Sequence, residues 1–434
     1  MDPRYHRKRH HHHSHYFRFT LYGWVVCAMA ALFYCYEYLL RIEPSVMMPQ
    51  LMQFFHVNAA GFGMLIALYY YAYTPMQAVV GVMTDYFGPK RILLIAIAIC
   101  AVGVYLFGMS DKLWIASVGR LLVGLGSSFA FVGVLKLAAM WLPHNRFAIF
   151  VGLTTALGML GAMVGDVELS KMVGRIGWHK MLTMSAMAGA VLLPIFWLFV
   201  SERVDRSQIR SGAHQTFKNL LGEFWKMVRN SQMWYAGIIG CIMYLSLSAF
   251  AEIWGIPFLS VLDFKADHSA AEFNSLVFLG WLIGSPFNGW LSDRLRSRRT
   301  ILINNSFLSA VLFSIILFLD IHTGWLLALL LFLFGLVSSG QVLCFVIARE
   351  STTLKSTATA IGFMNLLVML GGMTIQPLVG LLLDVHWVGE VLNDVRIYTP
   401  YDYHRALTLI PILLLVSALI GFLLKESYRE EQTA

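Results

Sequence analysis

The sequence predicts an all-α membrane protein, twelve transmembrane helices in two pseudo-symmetric six-helix bundles. Three observations predict it: apolar blocks long enough to cross a bilayer, one long polar interruption that divides them six and six, and motifs that recur at a fixed offset. Of the 434 residues, 58% are hydrophobic and 13% charged, and the mean hydropathy is +0.67. Soluble globular chains carry about 25% charged residues, so the composition fits a soluble fold poorly. Blocks such as 92–108 and 325–348 have the roughly 17 to 25 residues that cross a hydrocarbon core as helix. A membrane barrel would instead show segments of about ten residues with alternating polarity, and none is seen.

Taken in order, hydropathy places spans at 20–48, 60–84, 91–109, 113–141, 147–168, 178–200, 232–259, 270–291, 300–320, 325–348, 356–384 and 404–424. The longest polar stretch between them, 201–231, carries Arg203, Arg206, Arg210, Lys218, Lys226 and Arg229 and reads as a cytoplasmic linker. It separates an N-terminal bundle, 19–200, from a C-terminal bundle, 232–425. Residues 1–18, basic and including His10 to His13, read as a disordered cytoplasmic tail or an expression remnant, and 426–434 as a second tail. About 22 of the 32 Lys and Arg residues fall on the side of the termini, which places both in the cytoplasm. The formal charge of +8 therefore reports topology, and no nucleic-acid partner is expected.

Cys27, Cys35, Cys100, Cys241 and Cys344 all lie inside apolar stretches without metal-like spacing and read as packing residues. No cofactor or metal is expected.

The halves repeat one another. Gly81-Val-Met-Thr-Asp85 recurs as Gly289-Trp-Leu-Ser-Asp293, and Pro49 and Leu51 recur as Pro257 and Leu259, all at an offset of 208. Gly152 and Gly161 recur as Gly362 and Gly371 at 210. A duplicated six-helix unit follows, and substrate sites in duplicated transporters lie between the halves near the bilayer midplane.

The loop Gly81-Val-Met-Thr-Asp85-Tyr-Phe-Gly88-Pro-Lys90-Arg91 resembles the signature of the major facilitator superfamily, with Tyr86 and Pro89 where the family carries basic residues. The second copy, Asp293-Arg294-Leu-Arg296-Ser-Arg298-Arg299, keeps the charges but lacks the second glycine. Gly119-Arg120-Leu-Leu-Val-Gly124-Leu-Gly126 and Gly152-Leu-Thr-Thr-Ala-Leu-Gly158-Met-Leu-Gly161-Ala-Met-Val-Gly165 are similar to two further motifs of that superfamily. The second is glycine-rich, and glycines so spaced favour close helix packing. The resemblance covers residues 20 to 425. It implies that Gly81, Asp85, Gly88, Lys90, Arg91, Gly289, Asp293 and Arg294 form a cytoplasmic gate. A helix-ending aspartate there pairs with basic residues and with a helix N-terminus of the other half while the halves are closed. The alternative is an interfacial charge that neutralises its neighbours.

Ionisable groups at membrane depth face protein or a watery cavity and are site candidates by default. In the first span, Tyr34, Glu37, Tyr38 and Arg41 share one helical face through spacings of three and four. The run Tyr38-Leu-Leu-Arg41-Ile-Glu-Pro-Ser45 also resembles the first helix of organic-anion members of the superfamily, which implies that Arg41 holds a substrate carboxylate. A structural ion pair with Glu37 is the alternative. Glu252 in the seventh span falls opposite Pro44 at the repeat offset, at a depth near that of Arg41. It reads as a cation site, a proton carrier or a rim residue. Phosphate-exchanging members carry a second arginine in this half, so the acidic residue argues against that class.

Arg120 and Lys136, sixteen residues apart on one helix, cannot both line one site; Lys136 lies near the inner end and reads as snorkelling. Tyr69, Tyr70 and Tyr73, with Gln77, Trp254, Gln341, Asn365 and Gln376, are further cavity candidates, each equally at home in helix packing. Asp166, Glu168, Asp320 and Asp384 lie near predicted span ends and read as interfacial.

These readings converge on alternating-access transport of a small organic solute, an amino acid, dipeptide or carboxylate, with protons as a candidate co-substrate. The detailed sequence is similar to a bacterial branch related to lysosomal dipeptide transporters. A transporter-like sensor and an organic-anion/proton symporter are the alternatives. A membrane enzyme would need a nucleophile and base or clustered ligands at membrane depth, and no such constellation is present. A monomer in a bacterial inner membrane is expected.

Overall fold

The computed structural model describes residues 4–141, 144–201, 217–262, 269–319, 321–351, 357–392 and 395–427. The described residues fall into helices that follow the order of the twelve expected spans. The first is Arg4–Ile42, continued by a 3-10 turn, Glu43–Met47, and a short helix, Met48–Phe55. This helix runs back through the segment expected to be a disordered tail. The second span is Ala59–Met76 and Val80–Phe87, broken after Pro75; the third is Pro89–Met109. The fourth is Leu113–Ser127 and Ala130–Trp141, the fifth His144–Ile176 and the sixth Trp178–Phe199.

In the second half, Ser231–Leu245, a π-helical stretch Ser246–Trp254 and Gly255–Ser260 make the seventh span. The eighth is Ala270–Leu295 and the ninth Arg298–Phe318. Gly324–Ser338, Ser339–Val342 and Leu343–Glu350 make the tenth, Thr357–His386 the eleventh, and Pro400–Leu407 with Leu409–Gly421 the twelfth. Nine stretches among the described residues are long and apolar enough to cross a membrane. The end of the linker is a helix, Phe217–Val228, with Phe224 edge-on to Phe363 at 5.5 Å. A two-stranded hairpin, Val391–Leu392 with Val395–Arg396, joins the last two spans.

Water cannot satisfy backbone groups in lipid, and tails are as apolar as leucine side chains, so the helices associate through close packing. Gly124 lies so near the second span that a β-carbon there would sit 2.0 Å from the Tyr69 carbonyl oxygen. In the other half a β-carbon on Gly335 would sit 2.2 Å from the Val277 carbonyl oxygen. Val277 is Tyr69 moved by the repeat offset, so the duplication extends to the helix contacts themselves. The second span packs on the eleventh and the fifth on the eighth, and these two seams join the halves. Large apolar residues such as Trp197, Leu198, Leu419 and Phe422 point outward, as lipid contact requires.

Candidate functional site

Arg41 stands between the halves and is only 3% exposed. Its helix carries Glu37 one turn back, so the two meet as an intrahelical pair, Nη2 donating to both carboxylate oxygens at 3.2 and 3.3 Å. Nε donates to the Tyr69 hydroxyl at 3.0 Å, and that hydroxyl donates to Glu37 at 3.1 Å, which closes a ring of three side chains. The planar guanidinium also lies 4.6 Å from the ring of Tyr38, 5.2 Å from Tyr69 and 5.3 Å from Tyr73.

From the other half, Nη1 donates to the Tyr244 hydroxyl at 3.3 Å. Glu252 approaches the same nitrogen at 3.7 Å, an ion pair beyond hydrogen-bond distance, while its other oxygen accepts a short bond from the Tyr70 hydroxyl. Two carboxylates thus share one guanidinium. Glu37 holds it firmly from within the helix, and Glu252 touches it loosely from across the interface.

The seventh span can deliver both Tyr244 and Glu252 because its turns widen. The carbonyls of Ser248 and Ala251 are captured by the side-chain amides of Gln376 and Asn274, the latter at 2.8 Å, and the helical ladder shifts to π spacing between Ser246 and Trp254.

The remaining candidates sit around this centre. Tyr34 packs on Tyr38 with ring centroids 6.0 Å apart. Arg120 lies 5.3 Å from the Tyr69 ring and donates to the Leu40 carbonyl at 2.8 Å, so among the described residues it braces the backbone beside Arg41 rather than joining the cluster. Gln77 and Asn365 meet each other across the seam at 2.9 Å. Trp254 donates to the Gln376 carbonyl at 3.1 Å and packs edge-on to Phe62, a seam contact too. Tyr244 was not among the candidates, although it lies eight residues before Glu252, near the same helical face.

At the end of the bundle near Asn58 hydrogen bonds tie the halves together. The N-terminal amides of the second span are satisfied by three acceptors: Ala59 donates to the Tyr398 hydroxyl at 3.0 Å, Ala60 to Asp384 at 2.7 Å and Gly61 to Asn58 at 3.0 Å. Asp384 also accepts from Arg396 at 3.1 Å and from Tyr398. Burial, with the Asp384 hydrogen bond adding to it, raises Tyr398 above the ordinary tyrosine range. Asp384, expected to be interfacial, lies two residues from the end of its helix and ties the halves together there. Asp166, expected to be interfacial as well, is wholly buried at the fifth–eighth seam.

At the opposite end a β-carbon on Gly81 or Gly289 would meet nothing within 4 Å. Asp293 pairs with Arg298 of its own half at 2.6 Å, and Arg298 continues to Glu350 at 3.0 Å. Arg294 lies 5.4 Å from the Trp290 ring and Lys90 5.7 Å from that of Trp197, while Arg91 is exposed. Gly88 has φ +83°, the left-handed turn that admits the third span. The side chain of Asp85 lies outside the described residues.

The Major Facilitator Superfamily matches residues 26–376 of the chain. A probable sulfoacetate transporter, SauU, of Cupriavidus necator is 24% identical over 285 residues, 63% of this chain and 66% of that protein. The matches to the first curated relatives span between about a third and two thirds of their lengths. The membrane sensor protein UhpC of Escherichia coli is 22% identical over 379 residues, 82% of this chain and 85% of the sensor. Among solved structures, a bacterial homolog of the human lysosomal transporter Spinster, in an inward-facing and unoccupied conformation, superposes with a TM-score of 0.73 at 11% identity, covering 93% of this chain and 96% of that one.

Proposed function

The chain belongs to the Major Facilitator Superfamily, a family of multi-pass membrane transporters rather than enzymes, and from that premise we propose that it carries a small organic carboxylate or zwitterion across the bacterial inner membrane by alternating access, together with a proton. One observation carries this reading: a buried guanidinium at the junction of the halves, with donors directed to residues of both. A planar fork of donors suits a carboxylate, and a ligand gripped from both sides favours the state in which the halves close on it. The likeness to a sulfoacetate transporter, whose named solute bears a carboxylate, supports the same class.

With both termini in the cytoplasm, the Asn58–Asp384 end, where hydrogen bonds join the halves, faces outside, and the Gly81–Gly289 end faces inside. The coupling proton binds Glu252. Glu37 is fixed by two hydrogen bonds within its own helix, whereas Glu252 is the loosely held partner that a substrate carboxylate can replace once a proton neutralises it.

Purified protein in sealed vesicles tests this directly. Uptake of a small carboxylate or zwitterion that rises when the outside is made acidic is the expected result; product formation, or no flux for any such solute, overturns it. The likeness to a membrane sensor favours a second reading, recognised by solute binding without flux.

The outer clasp yields a separate expectation. Asp384→Ala removes the acceptor of Ala60 and of Arg396, and loss of charged hydrogen bonds of about 1.5–3 kcal/mol shifts the equilibrium roughly tenfold or more toward an open exterior. A cysteine placed at Ser248, which is fully buried, then reacts faster with an impermeant maleimide added outside. An unchanged rate shows that the clasp does not hold the gate.

A further inference from the structure

We propose that Asp166 is a second proton-binding site, one that takes up its proton as the outer seam closes. The inference rests on the alternating-access reading, because it needs a seam that opens. Asp166 and Asn274 are both 0% exposed, and they meet between the fifth and eighth spans, one from each half. The Asn274 amide nitrogen donates to Asp166 at 2.6 Å and to the Ala251 carbonyl at 2.8 Å, so both of its hydrogens are used and the orientation of the amide is fixed. A β-carbon on Gly255 would lie 2.1 Å from the Asn274 oxygen, so the glycine makes the room in which that oxygen sits.

Two acceptors remain without a donor: the second oxygen of Asp166 and the side-chain oxygen of Asn274. The pair holds acceptors and no further hydrogen, and a proton on the Asp166 carboxyl is the donor it lacks. No ion pair to Asp166 exists among the described residues. Of the charged groups on elements packed against the fifth span, the first span and its continuation bring Glu37, Arg41 and Glu43, the fourth Lys136 and the sixth His179 and Lys180. Arg41 is engaged by Glu37, and Glu43 by Ser185 at 3.0 Å. Glu168 and Lys171 on the fifth span pair with each other, and Glu272 on the eighth caps its own helix. Glu252 follows Ala251, whose carbonyl shares the Asn274 amide with Asp166, and its charge has the same sign. An isolated carboxylate in such a place is neutral rather than charged.

When the seam parts, water reaches Asp166 and stabilises the carboxylate. The proton therefore binds the outer-closed state in preference to the outer-open one, and by linkage acidity closes the outside. Solute import driven by protons from outside needs this sign: the loaded, protonated protein is the one that shuts behind its cargo.

The test uses no solute, so its failure is distinct from a failure to find transport. Spin labels on Gly174→Cys and Ala270→Cys, in protein whose five native cysteines are replaced, report the width of the seam by pulsed electron resonance. With Asp166 present, the open population is expected to grow by up to about tenfold per pH unit as pH rises. Asp166→Asn, which carries its hydrogens at every pH, is expected to stay closed throughout. An Asp166→Asn protein that opens with pH as the parent does overturns the proposal. A second measurement needs no variant at that site: infrared spectra of otherwise native protein labelled with carboxyl-13C aspartate should show, at neutral pH, the shifted carbonyl band of a desolvated aspartic acid. Absence of any such band equally overturns it.

Discussion

Arg41→Lys is expected to reduce substrate uptake at least a hundredfold while the protein remains folded. The substitution keeps the positive charge, so a loss cannot be laid to missing charge alone. What disappears is the fork. Arg41 reaches Tyr69 through Nε, Glu37 through Nη2 and Tyr244 through Nη1, and it lies against three tyrosine rings. A lysine ammonium is one point with three donors on a flexible stem, and it cannot meet acceptors on both sides of a plane or grip a carboxylate in two parallel bonds. Two parallel charge-assisted hydrogen bonds to a bound carboxylate, at about 1.5–3 kcal/mol each, are worth a factor of hundreds or more in a binding constant. Lysine retains part of that, which sets the lower bound near a hundred. Uptake into proteoliposomes measures the loss, and a cooperative melting transition in detergent establishes that the fold survives. Uptake within a few-fold of the parent would mean that the guanidinium is only a brace for the first span.

The layout of the fold is legible in the sequence because a bilayer leaves so few solutions. A chain in hydrocarbon must satisfy its backbone internally, so each apolar block is a helix, and the recurrence of Gly81–Asp85 at Gly289–Asp293 fixes the halves. The interruption of the second span is legible at Pro75; that of the seventh is not. The π turns of the seventh span arise because Gln376 and Asn274, distant in sequence, take its carbonyls. No local pattern around Ser246 announces partners that only folding brings near.

The same division runs through the site. Glu37 and Arg41 are visible as a pair because four residues make one helical turn, and the repeat offset alone points Glu252 at their depth. Tyr244 is hidden by the multitude of aromatic residues in the spans, for which packing is the commoner role. Asp166 is misjudged for a different reason: hydropathy ends the fifth span at 168, whereas the helix continues to Ile176. A residue assigned to the membrane surface thus lies well inside the protein. The partners of Asp384 are not legible, because the Ala60 amide comes from the second span and Tyr398 and Arg396 from the loop beyond the eleventh.

Glu252→Gln is expected to separate binding from coupling. In the parent protein the carboxylate of Glu252 competes with an anionic solute for Nη1 of Arg41, from which it lies 3.7 Å away. Solute binding then requires a proton on Glu252, and affinity falls as pH rises through the range in which that group ionises, by up to about tenfold per pH unit for one proton per solute. Glutamine has nearly the same shape and can still accept from the Tyr70 hydroxyl, but it carries no charge and releases no proton. The variant should therefore bind solute more tightly than the parent at high pH, and the slope of affinity against pH should fall by the contribution of one proton, leaving only that of Asp166. Exchange of labelled for unlabelled solute at equal pH should persist, while accumulation against a gradient collapses to equilibration. Calorimetric titration across pH and uptake with and without an imposed proton gradient measure the two halves of this expectation. If Glu252→Gln still concentrates solute when the outside is acidified, the proton travels on another group, and the loose pairing across the interface is only a contact that helps close the halves.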